Sequence, residues 1–194
     1  MELIYRIKGI LVAPDTEWAR AARAPTDVGG LMIHVALLAA IPAVARFLGD
    51  FLIGAAAEDG SVLRVTLDAG LAGAALDYAF SFVAVAVVAL AIDLMAPWFG
   101  GRPRYADALK VAVYAFTPYW ILGLFLVFPG LRFLTVFGVY ALFLARSGLV
   151  RVMHARPDGA LRYAAVATAL AVAVTVAAAQ ATALVLATFS RSIG

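Results

Sequence analysis

Residues 111–130, VAVYAFTPYWILGLFLVFPG, constrain the fold more than any other stretch of the chain. Thr117 and Pro118 interrupt an apolar run that ends only at Pro129 and Gly130. About 20 apolar residues rise about 30 Å as a helix, which is the thickness of bilayer hydrocarbon. A proline inside such a helix costs a soluble protein about 3 kcal/mol. In a membrane bundle, neighbouring helices and a threonine hydroxyl re-satisfy the freed backbone. The stretch therefore predicts a membrane-spanning helix with an irregular, kinked centre at Thr117-Pro118.

Composition supports this. The chain is 65% hydrophobic and 14% charged, against roughly 25% charged for an ordinary globular domain. Cysteine is absent, which excludes disulfides, thiolate metal sites and cysteine nucleophiles. The pI near 9.4 raises the question of nucleic acid. The basic residues are dispersed between apolar runs, however, so they read as membrane topology and no nucleic-acid partner is expected. Arg6 and Lys8 precede only a short apolar run before Pro14, too short for the core of a signal peptide.

Five hydrophobic segments stand out, at about 29–49, 71–96, 106–128, 131–149 and 163–189. Gly/Pro punctuation separates the later ones, at Pro97, Gly100, Gly101 and Pro103, at Pro129 and Gly130, and at Pro157 and Gly159. The fold class expected is an all-α integral membrane protein. Residues 29–194 would form a five-helix transmembrane bundle, preceded by an amphipathic cytoplasmic or interfacial segment at 1–28. Eleven Lys/Arg fall in the N-terminal tail and the second-to-third and fourth-to-fifth connections, against four (Arg46, Arg64, Arg132, Arg191) on the other side. By the positive-inside rule the N-terminus is cytoplasmic and the C-terminus external. The first external loop, 50–70, carries Asp50, Glu58, Asp59 and Asp68.

In the tail, Leu3, Ile4, Ile7, Ile10 and Leu11 share a helical arc of about 120°, flanked by Arg6 and Lys8. Pro14 ends this helix, and Asp15 or Thr16 begins a second one through Trp18 to Arg23. Arg6, Lys8 and Trp18 read as interfacial anchors, the cations reaching for phosphates and the indole lying among headgroups. Two readings stay open: an anchor or partner-docking helix, and a collar packed on the bundle.

Ionisable residues inside a membrane are costly and are the default site candidates. Asp77 and Asp93 of the second span lie 16 residues apart. That is about 24 Å along the helix, with the side chains about 160° apart, so two separate pairings are expected. Asp93 would meet Lys110 or Arg146, with His34 at similar depth, while Asp77 would share its depth with Arg132 and Gln180. The functional reading is a polar cavity for an ion, a proton or a lipid headgroup. The structural one is ion pairing that sets helix register. The fifth span is rich in alanine and the second opens with Gly70, Ala72 and Gly73. Small residues permit tight packing within the bundle or homo-oligomerisation.

No glycine phosphate loop, paired metal-binding histidines or nucleophile elbow is present. No enzyme activity, metal or cofactor is expected.

The stretch YADALKVAVYAFTPYWILGLFLVFPGLRFL resembles bacterial members of the Yip domain (Ypt/Rab-interacting protein) family. The residues carrying the resemblance are Ala108, Leu109 and Lys110; Tyr114, Thr117, Pro118 and Trp120; Gly123; and Pro129 with Leu131. Tyr140, Gly148, Leu149, Met153, Pro157, Ala160 and Tyr163 extend it. The chain departs at Val150, where the family usually has proline, and at Ala145-Arg146, usually apolar. The resemblance implies five spans and a cytoplasmic N-terminus, and brings no catalytic residues. Eukaryotic members are linked to small GTPases and vesicle membranes, a role that does not carry over to bacteria.

The leading expectation is a non-enzymatic protein of a bacterial inner membrane, a scaffold or membrane-organising protein. Its partners would be the bilayer, anionic lipid at the cytoplasmic face, and another membrane protein or a second copy. The alternative is a small transporter or channel for an ion, lipid or small solute, using Asp77, Asp93 and the Pro118 kink.

Overall fold

The computed structural model describes residues 2–56 and 62–192, so Glu58 and Asp59 of the acidic loop lie outside the described residues. Two short helices, α1 (Glu2–Val12) and α2 (Pro14–Arg23), precede α3 (Val28–Leu48). A π turn, Gly49–Ile53, closes α3 at Gly54, whose φ of 77° suits a residue without a side chain. A two-residue antiparallel pairing, Ala55–Ala56 with Val62–Leu63, leads into α4 (Leu67–Met95). A 3-10 turn at Ala96–Phe99 then ends at Gly100, with φ 69°.

Helix α5 (Tyr105–Leu122) runs unbroken through Pro118, and 3-10 geometry takes over at Gly123–Val127. The irregular backbone therefore begins five residues beyond the proline. Thr117 Oγ1 bonds Val113 O at 3.3 Å within the same turn. A second proline, Pro42, lies inside α3, and Gly123 packs directly on it.

Four helical stretches, Val28–Ile53, Leu67–Phe99, Tyr105–Val127 and Pro157–Ala187, are long and apolar enough to cross a membrane. They coincide with four of the five expected spans. The remaining segment, 131–149, is divided between a 3-10 stretch (Pro129–Tyr140) and α6 (Ala141–Arg151). Its first half is rich in aromatic and β-branched residues, which lose rotamer freedom in an α-helix. The last helix, α7 (Pro157–Ser192), starts with proline at its first position, where no N–H is missed.

The bundle has two distinct ends. At the tail end, α1 and α2 lie across α5 and α6. The 96–104 and 152–156 connections are zipped together there by Arg102 N–Met153 O (2.8 Å) and Arg156 N–Phe99 O (3.0 Å). At the far end, Asp50 pairs with Arg132 and accepts the Val65 N–H through its carbonyl at 3.2 Å. Residues 129–151 run between these ends, since Arg132 meets Asp50 and Arg151 meets Asp15.

The core centres on α5, where every residue from Ala108 to Pro118 is buried. Small residues of the second span serve internal packing: Gly70 rests on Phe47 of α3, and Gly73 on Leu186 of α7.

Candidate functional site

Three polar clusters organise the molecule. The first fastens α1 and α2 to the tail end. The Lys110 side chain is 4% exposed and donates to Ala21 O at 2.9 Å and Ala24 O at 3.0 Å. These carbonyls belong to the last turn and cap of α2, where helical carbonyls lack intrahelical partners and a cation is favoured. Thr26 Oγ1 donates to Asp107 at 2.5 Å beside it.

Trp18 is fully buried, 5.7 Å from the Tyr114 ring, and lies against Gly148 of α6, where a Cβ would come within 2.7 Å of the indole. The Arg6 guanidinium points inward and donates to the Tyr114 hydroxyl at 2.5 Å. Expectations for the anchors are thus corrected in part. Trp18 fills a protein pocket, because α2 folds back over α5 and α6. Arg6 likewise takes a protein partner, and Lys8 is exposed.

The second cluster lies deeper between α3 and α5. His34, 2% exposed, places Nε2 3.0 Å from Thr117 Oγ1. Its ring sits 5.5 Å from that of Tyr114 and 6.4 Å from that of Trp120. Sequence reasoning set His34 at the depth of Asp93 but did not join it to Thr117. The available signal was that Thr117 precedes a proline, a polar group at a place where the backbone already needs partners.

The third cluster occupies the far end. Arg46 Nη1 lies 3.3 Å from Asp77 Oδ2, and Thr182 of α7 donates to Asp77 Oδ1 at 2.9 Å. Three helices thereby meet at one carboxylate, with the Asp77 backbone carbonyl also accepting from Ser81 at 2.9 Å.

The expected pairings are therefore redrawn. Asp77 pairs with Arg46 and Thr182 instead of Arg132 and Gln180: Arg132 takes Asp50, and Gln180 points outward. Asp93 does not pair with Lys110, which is occupied by α2 carbonyls, or with Arg146, which is exposed. Its Oδ1 is buried without a hydrogen-bond partner among the described residues. The neighbouring Tyr163 hydroxyl donates to Ile92 O. The separation of Asp77 from Asp93 along α4 stands as expected.

Arg46 and Asp77 together border two small cavities, of about 60 and 190 Å³. Arg46 also reaches the end of a larger apolar cleft of about 800 Å³ between α7 and the 129–145 stretch. Among the described residues no three His, Asp or Glu side chains gather where they could hold a metal ion.

The family model described as the Yip1 domain matches residues 8–179. Inner membrane protein YohC of Escherichia coli strain K12 is 36% identical over 110 residues, 57% of this chain and 56% of that protein. The YohC of Escherichia coli O6:H1 matches to the same extent. The chain thus aligns with little more than half the length of the curated relatives. No solved structure matches it. With the family model covering nearly the whole chain, and with four helices of membrane-spanning length, the chain belongs to the Yip1 domain family of membrane proteins.

Proposed function

We propose that this chain is a non-enzymatic bacterial inner-membrane protein that scaffolds a partner or organises anionic lipid through its α1–α2 face. The carrying observation is the way Lys110, Trp18 and Arg6 pin α1 and α2 to the end that also holds both basic connections. Pinning leaves Tyr5, Lys8, Val12, Arg20 and Arg23 turned outward. Lys8 and Arg23 add positive charge to this face, where Arg20 pairs with Glu17 and Asp15 with Arg151, and two apolar side chains stand among them, a composition suited to a phosphate-bearing surface. The inner-membrane assignment follows the name of the Escherichia coli relative.

Five crossings with a cytoplasmic N-terminus and an external C-terminus complete the proposal. Its support is that residues 129–151 join Asp50 at the far end to Asp15 at the tail end. A 3-10 stretch rises about 2.0 Å per residue, so this segment has the length to cross. Reporter fusions after α6 and after α7 test the orientation.

The scaffold reading is tested with a photo-crosslinker placed at Lys8 and Arg20 in native membranes. A discrete protein or anionic-lipid adduct is expected there and not at Leu52 on the far end. Absence of any adduct specific to the tail end overturns the proposal.

A second reading, a small transporter or channel for an ion, lipid or small solute, draws on Arg46 and Asp77 bordering two cavities. Ion or solute flux into proteoliposomes that survives Asp77→Asn and Asp93→Asn unchanged would exclude it.

A further inference from the structure

Of the three cavities described, the widest is also the least polar. The cleft of about 800 Å³ has a floor of Val88, Ile92, Ala112 and Ala115 and one wall formed by α7 from Ala167 to Ala179. Phe133, Val136 and Val139 line the opposite side. Val136, Val139, Val172 and Val176 at its lips are exposed, so the cleft opens sideways from the bundle. Alanines set its width. A wall of Ala167, Ala171 and Ala179 facing Ala112, Ala115 and Ala145 leaves room that larger side chains would have filled.

Three features identify an occupant. The first is length: the α7 wall from Ala167 to Ala179 rises about 18 Å, against about 15 Å for one leaflet of the hydrocarbon core. The second is setting. α7 is a helix of membrane-spanning length, so the medium beside the opening is acyl chain. The third is charge. Among the described residues, Arg46 is the only charged side chain on the cleft lining, and it stands at the far end. Its side chain is 39% exposed, and the Asp77 bond uses Nη1 alone. A guanidinium carries five N–H donors in a planar fork that matches a phosphate. Tyr119 also lines the cleft.

We infer that the cleft is a binding site for one phospholipid of the far-end leaflet, an acyl chain lying along α7 and the headgroup phosphate engaged by Arg46. This site is separate from the α1–α2 face and stands or falls independently of the scaffold proposal. A second copy of the chain fits less well, because an apolar helix would leave the Arg46 guanidinium at the end of the cleft without an anionic partner beyond Asp77.

The test uses the full chain purified in mild detergent and weighed by native mass spectrometry. One retained phospholipid per chain is expected. Ala171→Phe, which fills the wall, should lower retention at least tenfold, whereas Ala177→Phe on the opposite face of α7 should leave it unchanged. Reloading with phosphatidylglycerol carrying a photoactivatable acyl chain should then label peptides from 133–145 and 167–179 in the wild-type protein. This second measurement needs no variant to fold. Equal retention in Ala171→Phe and wild type, no retained phospholipid, labelling spread evenly over the outer helices, or a dimer abolished by Ala171→Phe each overturns the inference.

Discussion

His34 Nε2 and Thr117 Oγ1 lie 3.0 Å apart in the buried seam between α3 and α5. The threonine hydroxyl has one proton. When it donates to Val113 O, 3.3 Å away, it accepts from the Nε2–H tautomer of His34. Thr117→Val removes the side-chain partner and leaves a buried imidazole nitrogen unsatisfied. The expected loss is about 1–3 kcal/mol. Adding His34→Leu should return part of it, read by reversible unfolding in mixed micelles.

Lys110→Met keeps the length of the side chain and removes its donors. The carbonyls of Ala21 and Ala24 lose their cation, and α2 should lift while the bundle persists. New tryptic cleavage after Arg20 and Arg23 in proteoliposomes, with unchanged helical signal, is the expected outcome.

The Trp18 pocket responds to volume more than to polarity. The indole N–H finds no acceptor among the described residues, so Trp18→Phe should cost little. Trp18→Ala should cost about 3–5 kcal/mol, as for other large core truncations. Gly148→Ala places a Cβ 2.7 Å from the indole in the wild-type background, which should displace α2. Combining it with Trp18→Phe should recover part of the loss, in a double-mutant cycle on thermal stability.

Arg46 and Asp77 should behave as a coupled pair. Asp77→Asn alone strands the guanidinium, and Arg46→Gln alone strands the carboxylate. The double variant should be more stable than the sum of the two by about 1 kcal/mol, within the usual range for contacting residues. The cycle is measured by denaturant midpoint. An additive result would mean that Thr182, bonded to the other Asp77 oxygen, carries the site without Arg46.

Much of the architecture was legible in the chain before folding. Apolar runs gave the four helices of spanning length and the position of the 131–149 segment, because hydropathy and Gly/Pro punctuation act locally. The motif around Lys110, Tyr114, Thr117 and Trp120 pointed to the family that the comparison then established. The pairings were less legible. Depth alone matched Asp93 with Lys110 and Asp77 with Arg132, since both pairs share a level along the bundle axis. Depth carries no information on rotation, and a residue on the wrong side of its helix meets a different neighbour. Arg46 lay within reach of Asp77 in depth but was counted as a topology marker at a span end. Pro118 continues the α-helix, and the change to 3-10 geometry begins at Gly123, which packs against Pro42 from another helix.

The sequence by itself determined that this chain is helical and belongs in a membrane. Those properties depend on residue type and order along single helices. Only the tertiary structure decided that Trp18 and Arg6 turn into the bundle, that Lys110 holds α2, and that His34 meets Thr117. It also decided that α7 parts from the 129–145 stretch to leave a cleft ending at Arg46. Each of these depends on the azimuth and spacing of helices far apart in sequence, quantities set by the packing of the whole core and encoded in no local run.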